Sequence, residues 1–524
     1  MDSPNPEALD TYYTGIASFD KLSTVGCHPI VDYFSFVKSL SDGDLAARII
    51  AVMEESRLPC NSFDVLRIGN APLQDRELPV KLLIKVEPGQ VNWEDGMNLA
   101  RRCRSELKRL GLNDVHCEVL EAQVRTANNV SSSSSGSSEP ASFPPPFFWS
   151  IGAEWVHEWK KLILPFTPNL GQCIASPNTL PTKGSTGLYL RISTKEGIRH
   201  ADYIITCPTA VEPITDYKGL IQVLQPANYE EIKEELDATK ERLEDTMEHL
   251  KLKKEFSELT KSANEYLNLC QQNFEQLEAF LAYYDRTAND RKIGYITASP
   301  PISAKHQPSR QITRRDWAAI RIDQPKFCLG DNAPPKNRFC IEGLERTIRN
   351  NLKATGQTVT PEDDFLTIDK YIIVESLQDH ISMTQRRNSR TRDDKALHLN
   401  VFKSGFKTGT THGYLNEIGS YTRDGLYYSQ NLCIPPQGKE KFSEDGDSGS
   451  LISMLYRSGD DKTHEPVVVA AGLLWGGCNA QKAARDIIYA IPLEHVLEDV
   501  KQFLGQRKIN VDEVEFSNLE VFAP

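Results

Sequence analysis

The alternation of apolar and polar residues predicts a small α+β unit at the start of the chain. Residues 78–86 form an apolar run typical of a strand, and residues 92–110 carry apolar side chains at helical spacing. Residues 115–120 then alternate as a half-buried strand does. This strand-helix-strand order predicts one folding unit over residues 1–125, a unit in which the sequence indicates no chemistry.

After residue 146, short apolar runs dominate and predict a β-rich region. Residues 186–192 and 203–207 are two such runs joined by a polar turn, which favours an antiparallel strand pair. Further runs, separated by clusters of proline, glycine and asparagine, cover residues 293–298, 317–322, 370–374 and 401–403. This spacing is typical of a β-barrel, and the pattern over residues 493–504 predicts a helix that closes the region.

Between these β-rich parts, residues 228–289 change to a helical pattern that is dense in glutamate and lysine. One heptad seam alternates apolar residues with threonines, in the set Ile232, Leu236, Thr239, Leu243, Thr246 and Leu250. A second apolar seam lies between Phe256 and Leu281. Two helices folded back as a hairpin and a coiled coil used for self-association both fit this pattern, and the threonines favour the hairpin.

Composition and charge restrict the possible functions. The 524 residues are 39% hydrophobic and 25% charged, which is an ordinary soluble composition with length for several domains. The net charge of -12 argues against a general nucleic-acid binder, because phosphate contacts need clustered lysine and arginine. Residues 131–138 are nearly all serine and precede a proline cluster, so residues 126–146 are expected to be a disordered linker.

The sequence carries no signal of export, membrane spanning or cofactor binding. Its first residues lack a basic and apolar leader, and no apolar run reaches the ~18 residues that a spanning helix needs. The eleven cysteines are scattered, without the spacing of a zinc site or the density of a disulfide scaffold. We therefore expect an intracellular protein, cytoplasmic or nuclear rather than secreted, with reduced thiols and no metal, nucleotide or other cofactor.

Candidate chemistry lies in the turn Gly446-Asp447-Ser448-Gly449-Ser450. Its small residues allow a tight bend, in which the N–H groups of Gly446 and Ser448 can point at one carbonyl oxygen as an oxyanion hole. Apolar strand-like runs follow at residues 451–455 and 467–477. The arrangement resembles the nucleophile turn of trypsin-like serine peptidases, which have the chymotrypsin fold of the PA clan. The resemblance implies that Ser448 stands at the nucleophile position.

Two other segments extend this resemblance. The run Arg315-Asp316-Trp317-Ala318-Ala319-Ile320 is similar to the context of the family's orienting aspartate, which gives that role to Asp316. The pattern K-x-G-x-x-T-G-x-T-x-G, from Lys403 to Gly413, resembles a strand pair of intracellular trypsin-like proteins, where the glycines permit a barrel corner. This second match supports a second barrel and implies no catalytic group.

The resemblance also implies a substrate-binding strand. Leu474, Trp475 and Gly476 stand where the family holds an extended peptide by backbone hydrogen bonds. Phe442 occupies the position that sets charge preference, so selection of a basic side chain is not expected.

The general base is where the chain departs from the family. A serine hydroxyl is a poor nucleophile until a base, normally a histidine held by a carboxylate, takes its proton. Thr209 stands where that histidine is expected, and a threonine cannot accept a proton near neutral pH. His200 is expected beyond the opposite end of the strand, and His412 belongs to the second-barrel hairpin, from which it could approach the cleft.

The resemblance covers residues 165–504 and implies a multidomain, mainly-β protein. The expected fold is a trypsin-like double β-barrel with an inserted α-helical hairpin or coiled coil, preceded by a small α+β domain and similar to intracellular fungal proteins of this type. The expected boundaries are 1–125 for the α+β domain, 126–146 for the linker, 147–227 for barrel 1, 228–289 for the helical insert, 290–504 for the rest of the trypsin-like domain and 505–524 for a tail.

Three functional interpretations remain open at this stage. The first is a catalytically impaired peptidase homologue that binds a protein or peptide, without nucleic-acid or membrane partners. The second is an active serine endopeptidase whose base comes from elsewhere in the chain. The third is a scaffold that self-associates through residues 228–289.

Overall fold

A computed structural model describes a large part of the chain, over residues 11–13, 21–34, 36, 44–70, 73–126, 169–175, 183–194, 200–208, 220–223, 226–256, 260–284, 292–306, 312–322, 336–341, 365–390, 398–436, 441–456, 467–478, 486–506, 514–516 and 518–521. Thr209 and residues 127–146 of the expected linker lie outside the described residues.

The first elements include the strand-helix-strand order that the sequence pattern predicts between residues 78 and 120. They are β1 (Thr11–Tyr13), β2 (Lys21–Ser23), α1 (Leu45–Ser56), β3 (Cys60–Gly69), β4 (Val80–Val86), α2 (Trp93–Arg109), β5 (His116–Glu121) and β6 (Arg125–Thr126), with 3₁₀ turns at Pro29–Tyr33 and Asp75–Glu77. Helix α2 begins after Asn92, whose side-chain oxygen accepts a 2.9 Å hydrogen bond from the Asp95 N–H. This cap satisfies one of the backbone donors that a helix start leaves unpaired.

The middle of the chain contributes eleven strands and two long helices among the described residues. They are β7 (Cys173–Ala175), β8 (Lys183–Ser185), β9 (Leu188–Thr194), β10 (His200–Thr206), β11 (Leu220–Val223), α3 (Pro226–Phe256), α4 (Lys261–Tyr284), β12 (Lys292–Ala298), β13 (Ser303–His306), β14 (Ile312–Arg315), β15 (Ala318–Ile322), β16 (Asn337–Cys340) and β17 (Phe365–Ile368).

The last part adds ten strands and two helices within the described ranges. They are β18 (Lys370–Tyr371), α5 (Val374–Arg390), β19 (Leu399–Gly405), β20 (Gly409–Leu415), β21 (Ser420–Asp424), β22 (Tyr427–Ile434), β23 (Leu451–Tyr456), β24 (Val467–Gly477), β25 (Ile488–Pro492), α6 (Leu493–Gln506), β26 (Val514–Phe516) and β27 (Glu520–Val521).

Two sheets carry most of the strands. The smaller sheet has the order β26-β9-β10-β15-β12-β11-β7-β8. The larger sheet has the order β1-β5-β4-β3-β21-β22-β25-β24-β23-β19-β20, with β2 on β3, β6 and β18 on β24, and β27 on β18. The described chain is therefore mainly β, with one large mixed sheet and six helices. The predicted pair of strands around residues 188–206 is present as β9 and β10, which are antiparallel.

The N-terminal unit shares the larger sheet with the second half of the chain. Strand β3 pairs with β21, and the rings of Phe63 and Tyr421 stack with their centroids 4.7 Å apart. Beneath this joint, the buried Lys85 ammonium lies 2.8 Å from the Asp64 carboxylate and donates to the Tyr489 hydroxyl of β25. Since β25 pairs with β24, the N-terminal unit buttresses the strand on which the substrate-binding residues are predicted. The domain boundaries stay predictions.

The helical insert consists of two antiparallel helices that pack on each other. Lys240 of α3 forms a 3.0 Å ion pair with Glu278 of α4, while Met247, nearer the end of α3, packs with Leu267 and Cys270 near the start of α4. At the base of the pair, Leu236 and Leu277 are buried in the same core as the smaller sheet. Self-association through this insert stays a prediction.

One predicted strand is shorter in the structure. The apolar run at residues 370–374 forms β18 only to Tyr371, and helix α5 begins at Val374. The Glu494 carboxylate of α6 accepts a 2.6 Å hydrogen bond from the Val374 N–H, so a distant residue caps this helix. None of the helices in the described ranges combines the length and apolarity needed to cross a membrane.

Candidate functional site

The turn that carries Ser448 is built by two glycines in left-handed backbone conformations. Gly446 has φ +107° and Gly449 has φ +89°, which side chains rarely adopt. The N–H of Asp447 donates to the Glu444 carbonyl at 3.0 Å, and the N–H of Ser450 donates to the Asp447 carbonyl at 3.0 Å. A Cβ atom at Gly449 would collide with the Thr206 hydroxyl of β10. The two glycines therefore bring the turn close to β10.

The Ser448 turn, residues 446–450, lies at the junction of the two sheets. On the side of the smaller sheet, the N–H of Ser185 donates to the Ser448 carbonyl at 2.9 Å. On the side of the larger sheet, the N–H of Gly449 donates to the Leu474 carbonyl at 2.8 Å, and the N–H of Leu474 donates to the Ser450 carbonyl at 2.9 Å. Main-chain bonds from both sheets thus fix the backbone of the turn.

A buried ion pair holds the turn from below. The Lys403 ammonium of β19 lies 3.0 Å from the Asp447 carboxylate, and both side chains are fully buried. Asp447 also accepts hydrogen bonds from the Lys407 N–H at 2.8 Å and the Thr408 hydroxyl at 2.7 Å. Burial works to raise the pKa of Asp447, but Lys403 and Thr408 hold that pKa below its ordinary value. The sequence predicts that the Lys403 motif forms a barrel corner. In the structure, Lys403 also supplies the buried cation that pairs with Asp447 of the Ser448 turn.

Asp316, the predicted orienting carboxylate, is engaged by an arginine. The Arg314 guanidinium donates to Asp316 Oδ2 at 2.9 Å, forms an ion pair with Asp424, and lies 3.8 Å from the centre of the Trp475 ring. Burial raises the pKa of Asp316, and Arg314 opposes that rise. The other oxygen, Oδ1 of Asp316, is buried and receives no hydrogen bond from the residues that the structure describes. Among these residues, Asp316 therefore faces the Arg314 cation with one of its two oxygens.

The residue that joins Asp316 and Ser448 is Cys207, at the end of β10. Its thiol sulfur lies 3.1 Å from the Leu474 carbonyl oxygen and 3.4 Å from the Asp316 carbonyl oxygen. Burial raises the pKa of Cys207 well above its ordinary value, and a hydrogen bond from Ser448 to the same sulfur opposes that rise only in part. The thiol is therefore protonated at neutral pH and cannot serve as a base.

The histidines considered as substitutes have other places in the fold. His412 lies on β20, and its Nε2 is 2.9 Å from the Asn400 side-chain oxygen. His200 is the first residue of β10 and pairs opposite Ser193, whereas Thr206 at the other end of that strand faces the Ser448 turn. Thr209, the predicted site of the missing histidine, lies outside the described residues.

The predicted substrate-binding residues are largely covered. Trp475 is only 1% exposed, and its indole N–H donates to the Asn431 side-chain oxygen at 3.0 Å. Leu474 is buried, and its carbonyl already accepts from Gly449 and Cys207. Gly476 pairs with Thr126 of β6. Leu474, Trp475 and Gly476 thus lie on one strand beside the Ser448 turn, each with neighbours already in contact. Their role in substrate binding stays a prediction.

Phe442, the predicted specificity position, is buried beside the Lys403 strand pair. Its carbonyl accepts a 2.7 Å hydrogen bond from the Thr411 hydroxyl, and the Lys403 ammonium lies 5.7 Å from its ring centre. A Cβ atom at Gly413 would touch the ring at 2.9 Å, so the glycine makes room for Phe442. The role of Phe442 in substrate selection stays a prediction.

Comparison with known proteins identifies structural similarity at a low level. No protein-family model and no curated protein matches the chain. Similar solved structures are Thermobifida fusca protease A at 10% identity, a Nocardiopsis protease at 9% and a glutamic acid-specific serine protease at 11%, each with TM-score 0.27. They align with 63% of this chain and with 94%, 94% and 97% of their own lengths. TM-scores as low as these carry no argument about the function of the chain.

Proposed function

We propose that residues 165–504 form a trypsin-like domain with impaired catalysis, which holds a protein or peptide ligand along β24. The observation that carries the proposal is the contact between Ser448 and Cys207. In a working serine peptidase the hydroxyl meets a neutral imidazole that takes its proton. Here the described neighbour is a buried thiol with a raised pKa, which holds its own proton and cannot take another.

The surroundings of Asp316 support the same proposal. An orienting carboxylate aids catalysis by stabilising the imidazolium that forms when the histidine takes the proton. Asp316 is instead paired with Arg314, a cation that it shares with Asp424. With Thr209 at the expected histidine position, this carboxylate stabilises an arginine that is charged throughout, and it adds nothing to proton transfer.

Backbone recognition along β24 is the binding mode that suits this site. An extended peptide can add as a strand to a sheet edge, where main-chain hydrogen bonds supply affinity. Strand β23 pairs with β24 only as far as Leu473. The residues of β24 after Leu473 therefore have one edge that β23 does not cover. Because Trp475 and Phe442 are buried, side-chain pockets at these two positions contribute little to selection.

A casein-cleavage assay that compares the wild type with Ser448→Ala tests the impaired activity. We expect both proteins to release peptides at the same background rate, because loss of the base costs on the order of 10⁶ in turnover. Ser443→Ala, another buried serine near the turn, is the matched control for folding. Casein cleavage by the wild type and by Ser443→Ala that disappears in Ser448→Ala would establish an active endopeptidase and overturn the proposal.

A further inference from the structure

The edge of β24 beyond β23 is already occupied by another part of the chain. Strand β6 pairs antiparallel with β24, with Thr126 opposite Gly476 and Arg125 opposite Gly477. The other edge of the same two glycines pairs with Tyr489 and Ile488 of β25. Strand β23 pairs with β24 only as far as Leu473. Strand β6 therefore lies on the same side of β24 as β23, beyond the point where β23 ends.

The direction of β6 leads towards the Ser448 turn. Because the pairing is antiparallel, the step from Arg125 to Thr126 moves along β24 from Gly477 to Gly476, and so towards Leu474. The Leu474 carbonyl accepts the hydrogen bond from Gly449, the residue after Ser448. The chain therefore enters this edge from the far end and runs towards the candidate nucleophile, with backbone pairing of the kind that an extended peptide ligand makes.

The N-terminal unit anchors the start of this segment. The Ala122 N–H donates to the Val86 carbonyl at 3.0 Å, and its carbonyl accepts from the Asn61 side-chain amide at 2.9 Å. Val124 packs against the core that contains Trp475. Because β3 of the same unit pairs with β21, the segment leading to β6 is attached to the sheet it occupies by a second, independent joint.

We propose that Arg125–Thr126 is a built-in ligand of the β24 edge, and that an extended peptide from another molecule binds there only by displacing it. The inference rests on the proposed function, since it concerns the same edge, and it names what regulates access. A tethered segment acts at an effective concentration of about millimolar. A peptide from another molecule must outcompete this tethered segment to bind. In the resting state, β6 therefore occupies the β24 edge.

Hydrogen exchange on the full chain tests the built-in strand. The variant Arg125→Pro/Thr126→Pro removes both N–H groups of β6, and Arg125→Val/Thr126→Val keeps them in residues that favour strands. We expect about one amide between Leu474 and Cys478 to exchange at least ~10-fold faster in the proline variant, because successive N–H groups of a strand point to opposite neighbours. The valine control should exchange like the wild type.

A binding measurement on the same proteins tests the competition. The probe is a fluorescent peptide with the sequence of residues 122–130, added to the wild type and to both variants. We expect the proline variant to bind it at least ~10-fold more tightly than the wild type or the valine variant, because the tethered competitor is gone.

The outcomes separate the inference from the function on which it rests. Equal exchange of the β24 amides in all three proteins, or equal peptide affinity of the wild type and the proline variant with measurable binding, overturns the inference. Faster exchange in the proline variant without peptide binding to any protein supports the built-in strand and contradicts the proposed peptide-binding function. If the proline variant does not fold, an unprotected amide at either Gly476 or Gly477 in the wild type overturns the inference, and protection of both supports it.

Discussion

Replacement of Lys403 by methionine is expected to lower the free energy of unfolding by about 3–5 kcal/mol, the usual cost of removing one partner of a buried ion pair. Asp447 would then be a buried carboxylate whose remaining donors, Thr408 and the Lys407 backbone, carry no charge. The loss acts on the Ser448 turn itself, because Asp447 is the residue before the serine. Urea denaturation followed by tryptophan fluorescence measures it.

Two matched variants make the Lys403 prediction specific. Lys407→Met removes the same charge from an exposed side chain and is expected to change stability by less than ~0.5 kcal/mol. The double variant Lys403→Met/Asp447→Asn removes both charges and should recover a large part of the loss, because no uncompensated charge stays buried. Equal losses for Lys403→Met and Lys407→Met would show that the pair does not hold the turn.

Replacement of Arg314 by methionine is expected to have a comparable effect, again about 3–5 kcal/mol, because it leaves two buried carboxylates without their shared cation. Asp316 and Asp424 both pair with this guanidinium, which also covers the face of Trp475. Arg321→Met, at an exposed position on β15, is the control and should change little.

The Arg314 variant also has an expected pH dependence. Burial already raises the pKa of Asp316, and without Arg314 the opposing influence is lost. A carboxyl whose pKa is higher in the folded than in the unfolded protein binds protons on folding, so its folded state is favoured at low pH and loses stability as pH rises. The free energy of unfolding that Arg314→Met loses relative to the wild type should therefore become smaller as the pH is lowered from about 8 to about 5. A deficit that grows on acidification would contradict this assignment.

The local parts of the site could be predicted from the sequence. The Ser448 turn follows from its two glycines, and α2 follows from apolar spacing behind the Asn92 cap, because in each case the determining residues are neighbours in the chain. The pair β9–β10 is equally local. Asp316 and β24 are distant in the chain, so the sequence brings them to one site only through the family resemblance.

The partners of these residues could not be predicted, because they are distant in the chain. Lys403 meets Asp447 through sheet packing, and Arg314 meets Asp424 and Trp475 in the same way. The sequence predicts that Cys207 ends a strand before Thr209, but only its burial beside Ser448 shows that a thiol faces the hydroxyl. The apolar run 370–374 predicts a strand through Val374, whereas α5 begins at that residue, because the residue that caps this helix, Glu494, lies far along the chain.

The N-terminal unit takes on a role that its sequence did not indicate. The sequence predicts a small α+β domain over residues 1–125 and indicates no chemistry in it; in the structure β3 pairs with β21 of the larger sheet and β6 lies along β24. A polar cluster of Lys85, Asp64 and Tyr489 is buried at this joint. The unit therefore supports the candidate site and also contributes the segment that covers it.

Labelling of the native protein with a fluorophosphonate probe, read by intact mass spectrometry, tests most directly whether Ser448 is an activated nucleophile. Fluorophosphonates react with serine hydroxyls that a neighbouring base deprotonates. We predict that neither the wild type nor Ser448→Ala gains an adduct. A stoichiometric adduct on wild-type Ser448, absent from Ser448→Ala, would contradict the account, because the Cys207 thiol that meets this hydroxyl cannot deprotonate it.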